Sequence, residues 1–180
     1  MINWTNSYDL GSAALHGNMV KCKYYVEQGA NSFDEGLRCA AIGNHLEICK
    51  FLISKGAGNF NNALWWAADR GHLEICKYLI DHGADYFDGP FICAVRNGDL
   101  ELCKYLSKYA DNFNEALYFA IIEGNLEIYK YLIFCSKNSN DINEALCRVL
   151  DSQQSGNLTC IKYIIQQSGF IMNQLLELRI

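Results

Sequence analysis

The sequence predicts an all-α fold, a solenoid of about six helix-turn-helix repeats with a period of 27 residues. Three observations carry this reading: a phrase that recurs along the chain, a ruler of evenly spaced lysines, and apolar spacing of helical rather than strand type. The phrase Leu46-Glu47-Ile48-Cys49-Lys50-Phe51-Leu52-Ile53 returns as 73–80, as 100–106 and as 126–133. The ruler is Lys23, Lys50, Lys77, Lys104, Lys130 and Lys162, at intervals of 27, 27, 27, 26 and 32. The repeats fall at about 8–33, 34–60, 61–87, 88–113, 114–142 and 143–171, with a C-terminal cap at 172–180, all in one elongated domain, 1–180.

Each element follows from local chemistry. Leu73, Ile75, Cys76, Leu79 and Ile80 form the apolar stripe of a second helix buried on one face, and Gly83 closes it in the left-handed position, as Gly29 and Gly56 do in their repeats. A first helix precedes it over Asn62–Arg70 and stops at Gly71. Asn61, Asp34, Asp88, Asn114 and Asn143 are its expected N-caps. Ala13, Ala40, Ala67, Ala94 and Ala120 place a small side chain at one position of every first helix, so neighbouring helices can approach closely. Phe33, Phe60, Phe87, Phe113 and Ile142 stand just before the first helices and read as staples over the seams. One helix pair is too small to bury its own apolar face, so burial has to come from stacking. The last repeat is irregular: residues 134–140 and 151–155 lengthen its loops, and Asn173–Leu176 begins a further helix that caps the end.

Composition narrows the function. A hydrophobic share of 51% argues against disorder, and a net charge of −5 gives no general attraction to nucleic acid or anionic membrane. The N-terminus lacks the basic start and apolar stretch of a signal peptide, and no apolar run reaches the ~18 residues of a membrane span, so an intracellular, cytoplasmic protein is expected. Nine cysteines without a C-x-x-C pair fit a reducing compartment. Cys22, Cys49, Cys76 and Cys103 form a column, but stacked helices lie roughly 8–10 Å apart, beyond a shared zinc or a disulfide. They read as small buried hydrophobes. His16, His45, His72 and His82 are scattered. There is no nucleophile–base signature or phosphate loop, so no enzyme, cofactor, metal or small-molecule substrate is expected.

The units resemble ankyrin repeats. The third reads Asn62-Ala63-Leu64-Trp65-Trp66-Ala67-Ala68, then Gly71-His72-Leu73-Glu74-Ile75-Cys76-Lys77, then Gly83-Ala84-Asp85. The resemblance covers most of the chain and is strongest in the second half of the unit. In the first half the family's T-P-L-H turn is degraded, since Thr is absent from it and Gly89-Pro90-Phe91 holds the sole proline. The period of 27 against the family's ~33 falls short where the projecting hairpin belongs; only Tyr86-Phe87-Asp88 separate Asp85 from Gly89. The resemblance implies a solenoid with hairpins cut to short loops, similar to the short divergent repeats of giant DNA viruses of amoebae. His72 takes the family's structural turn position.

The same resemblance implies a non-enzymatic module that binds a protein on its concave face and works as a monomer. Structural columns repeat; the residues after the alanine pairs do not, running Leu15-His16, Ile42-Gly43, Asp69-Arg70, Arg96-Asn97 and Ile122-Glu123. Mid-helix variation adds Arg38, Trp65, Ile92 and Tyr118. The expected contact residues are Trp65, Arg70, Tyr86, Arg96 and Tyr118, with Arg38, Ile42, Asp69 and Ile122 around them. The alternatives are a nucleic-acid or membrane-surface binder working through the lysine column, or a passive spacer. Against the first, Glu47, Glu74, Glu101 and Glu127 each lie three residues before a lysine and neutralise it on the same helical face.

Overall fold

The computed structural model describes residues 4–136, 142, 144, 145, 147–149, 162 and 163, with side chains from Asp9 onward. Most of the sixth repeat and the whole expected cap at 172–180, with Asn143 and Asn173, lie outside the described residues. Among the described residues the secondary structure is helical, without strands, in five pairs: α1 (Trp4–Leu15) and α2 (Met19–Glu27), α3 (Phe33–Ile42) and α4 (Leu46–Ser54), α5 (Phe60–Asp69) and α6 (Leu73–Asp81), α7 (Asp88–Arg96) and α8 (Leu100–Leu106), α9 (Phe113–Glu123) and α10 (Leu126–Cys135). The chain divides into two compact units, Met1–Cys93 and Ala94–Ile180.

In the first unit the leading helices form a row, α1 on α3 on α5, each packed on its own partner, and α4 meets α6. The repeated columns supply the core: Leu10, Leu37 and Leu64 are fully buried, as are Cys22, Cys49 and Cys76, Leu52 and Leu79, and Ala40 and Ala67. In the second unit α9 packs on α10 and α10 on α8, over Leu102, Cys103, Leu106, Leu117, Ile121 and Leu132. Tyr129 takes the cysteine position of the fifth repeat and is 1% exposed. The cysteine column is thus core, and burial pushes the Cys49 and Cys103 thiols up to about 12.

Two turns recur. After the second helices, Gly56 has φ 106° and Gly83 φ 107°. The amides of Ala57 and Ala84 donate back to Leu52 and Leu79 at 3.1 and 3.0 Å, and those of Gly56 and Gly83 to Ile53 and Ile80, the double bond of a Schellman cap. The fourth repeat has Tyr109 in place of that glycine and no left-handed residue, and α8 ends after seven residues. Between first and second helices the left-handed position belongs to Gly17, Gly71, Gly98 and Gly124, and in the second repeat to Asn44 (φ 62°), a residue that tolerates this region.

Side chains tie successive repeats together at both ends of the first helices. His45 and His72 bring Nε2 within 3.1 Å of the Leu15 and Ile42 carbonyls, and in the second unit Asn125 Nδ2 donates to the Val95 carbonyl at 2.7 Å. At the other end, Asp34 Oδ1 accepts from the Gly58 and Asn59 amides at 2.7 and 2.9 Å. Asn61 Oδ1 accepts from those of Asp85 and Tyr86 at 2.9 and 3.1 Å. This corrects the expected caps. Asn59 and Asn112 cap α5 and α9 through the amides of Asn62 and Glu115, and Ser32 precedes α3. Asp34 and Asn61 sit one residue inside their helices and reach forward to the next loop instead. Asp88 and Asn114 also lie within helices, and Phe33, Phe60 and Phe113 open theirs rather than precede them.

The first repeat departs from the apolar pattern. Lys21 and Tyr25 stand where later repeats place Ile48, Ile75, Leu52 and Leu79, and with Asp9 and His16 they line an open niche of about 280 Å³.

Candidate protein-binding face

Asn61, Trp65 and Asp69 occupy positions i, i+4 and i+8 of α5, and so lie on one stripe of that helix. Asn61 holds the loop that follows α6: besides accepting from the Asp85 and Tyr86 amides, it donates through Nδ2 to Asp85 Oδ1 at 2.8 Å. A Cβ on Gly89 would fall 3.1 Å from both Trp65 Cδ1 and Tyr86 Cε1, so both side chains lie against Gly89 and leave no room there for a larger residue. Trp65 is 36% exposed and Tyr86 55%. Together they present an aromatic plate on the surface, two exposed side chains around Gly89.

The plate has support from behind. Trp66 meets Trp65 edge to face, with centroids 4.8 Å apart, and the Arg38 guanidinium lies 5.5 Å from the Trp66 ring centre. Arg38 is fixed in turn by Glu35, which accepts from its Nε at 2.9 Å and also from Nη2. These hydrogen bonds hold the Glu35 carboxyl below the usual carboxylate range. Both residues also touch Cys39, whose thiol is pushed up to about 11, first by burial and then by the Glu35 charge. Beyond Trp65, Arg70 Nε stands 3.6 Å from Asp69 Oδ2. Ile42 is half-buried, and its carbonyl is the one His72 reaches.

The expected contact residues therefore divide between the units. Arg38, Ile42, Trp65, Asp69, Arg70 and Tyr86 are in the first, where Trp65 and Tyr86 both lie against Gly89 and Arg38 lies over the Trp66 ring that meets Trp65. Arg96, Tyr118 and Ile122 are in the second. There Arg96 is exposed, 3.6 Å from Glu123 and 5.2 Å from the centre of the Phe119 ring. Tyr118 is half-buried beneath Arg148 at 4.5 Å, and Ile122 is half-buried. Sequence reasoning missed Gly89 and the forward reach of Asn61; its signal was the Asp/Asn column at 34, 61, 88 and 114, which fits an inter-repeat tie as well as a cap.

On α4, α6, α8 and α10 the column lysine meets the expected carboxylate: Lys50–Glu47, Lys77–Glu74, Lys104–Glu101 and Lys130–Glu127, at 2.6 to 2.8 Å. Lys50 also lies 5.8 Å from the Tyr78 ring centre of the next repeat. Among the described residues no group of His, Cys, Asp or Glu could hold a metal ion, and no helix is long and apolar enough to cross a membrane.

Paired antiparallel helices with short turns, repeated five times among the described residues and joined by side-chain ties at both ends, define a helical-repeat scaffold. The profile described as ankyrin repeats (three copies) matches residues 10–89 and 88–145. The chain belongs to the ankyrin-repeat family, whose members are generally protein-protein interaction modules. No curated protein matches it.

Proposed function

We propose that this chain is a non-enzymatic adaptor that holds a partner protein on its concave face, the side of the first helices and the loops before them. The observation that carries the reading is the Trp65–Tyr86 plate: two large exposed rings at positions that vary between repeats, both against Gly89, with the Tyr86 backbone held by Asn61. Aromatic side chains anchored in this way are frequent centres of binding energy. With hairpins reduced to loops such as 82–87, the first helices carry most of the contact. Arg70 and the neighbouring Arg38, Ile42 and Asp69 complete the surface of the first unit, and Arg96, Tyr118 and Ile122 are the contact residues of the second.

In this reading the chain works as one monomeric repeat domain in the cytoplasm, and a viral origin fits the short repeat. It engages neither nucleic acid nor membrane, because the lysine column of α4, α6, α8 and α10 is matched by carboxylates. The test is capture of partners from cell lysate by the wild-type chain and by a Trp65→Ala/Arg96→Ala variant. A protein retained by the first and lost by the second, with both folded by circular dichroism, supports the adaptor. Retention unaffected by the substitutions, or recovery of nucleic acid, refutes it.

A further inference from the structure

We propose that the Trp65–Tyr86 plate receives a cationic side chain, a lysine or arginine of the partner protein; this rests on the binding face proposed above and names its chemistry. The first support is a contrast within the molecule. Cations of the chain lie over Trp66, Tyr78, Tyr118 and Phe119, at 4.5 to 5.8 Å from the ring centres. Among the described residues none lies over Trp65 or Tyr86, although both are exposed. The negative face of an aromatic ring attracts a cation, tryptophan most strongly.

Charge supplies the second support. Asp69 stands one turn beyond Trp65, Asp85 adjoins Tyr86, and Asp88 adjoins Gly89. The loops and first helices over 28–42, 55–70 and 82–93 contain five carboxylates (Asp34, Glu35, Asp69, Asp85, Asp88) and three cations (Arg38, Lys55, Arg70), a net charge of −2. Both guanidiniums are already matched, by Glu35 and Asp69. Helices α4 and α6 carry Glu-Lys pairs instead. An acidic rim around uncovered π faces selects a cation and repels carboxylate or phosphate groups. Exposed Tyr24 has no such rim, since Lys21 and Lys23 flank it.

The test is fluorescence anisotropy with labelled hexa-arginine and hexa-glutamate peptides at several salt concentrations. Hexa-arginine is expected to bind and hexa-glutamate not. Trp65→Ala is expected to weaken binding about tenfold and Trp65→Phe less. Asp85→Asn, which keeps an acceptor for Asn61, is expected to weaken it and flatten the salt dependence. Glu127→Gln, on α10, is expected to change nothing, and thermal melts check that each variant folds. Hexa-arginine binding that ignores both Trp65→Ala and Asp85→Asn, or equal binding of hexa-glutamate, overturns the proposal. If the Trp65→Ala/Arg96→Ala variant loses a lysate partner while hexa-arginine binding ignores Trp65→Ala, the face stands and its cationic chemistry falls.

Discussion

Replacing Asn61 with alanine tests how repeats are joined in a chain that lacks the family's threonine-proline turn. The side chain makes three hydrogen bonds to the next loop, to the Asp85 and Tyr86 amides and to Asp85 Oδ1, at 2.9, 3.1 and 2.8 Å. A net hydrogen bond contributes about 1 kcal/mol. All three are exposed, so water replaces part of what is lost, and the expected destabilisation is about 2 kcal/mol rather than 3. With a urea slope of about 2 kcal/mol/M, the midpoint falls by about 1 M. Asn61→Asp keeps the acceptor for both amides but loses the donor and sets a carboxylate against Asp85. It should therefore fall between wild type and alanine at neutral pH and recover in acid as one carboxyl protonates. Urea denaturation followed by circular dichroism reads both. A midpoint unmoved in Asn61→Ala, or Asn61→Asp less stable than Asn61→Ala, would refute the reasoning.

Other expectations follow from the same geometry. Leu79→Ala empties a fully buried site and is expected to destabilise the chain by about 3 kcal/mol in the same urea assay. Glu35 has a folded-state pKa below its unfolded value, so its pairing with Arg38 stabilises at neutral pH and is lost as pH falls through the depressed value. Wild type and Glu35→Gln should differ near pH 7 and converge in acid, as melts across pH will show. Cys49 and Cys103, buried with thiols pushed up to about 12, should resist a thiol reagent at pH 8 until the chain unfolds, whereas exposed Cys147 reacts at once; mass spectrometry of labelled peptides distinguishes them. Gly89→Ala should displace Trp65 and Tyr86, which a methyl group there would crowd, and the change in Trp emission checks it.

The repeat was legible because stacking imposes the same demand on every unit: a buried leucine, a small alanine and a capping glycine recur wherever the same contact is made. The Glu-Lys pairs were legible for a similar reason, since a spacing of three residues on a helix fixes the neighbour. Contacts between repeats were not. Asn61 satisfies the local grammar of an N-cap, and only the fold shows that Asn59 takes that role and frees Asn61 to hold the next loop. Gly89 reads as a degraded turn until the position of Trp65 shows what a methyl group would strike. Trp65 and Tyr86, separated by 21 residues, were chosen for exposure and variability; that they form one surface depends on where the loop after α6 is tied.

The most direct test of the binding face is photo-crosslinking from two exposed positions, 62 on α5 beside Trp65 and 74 on α6. A partner protein crosslinked from position 62 and not from 74 is the predicted result. Crosslinking from position 74 alone would place binding on the second helices and contradict it.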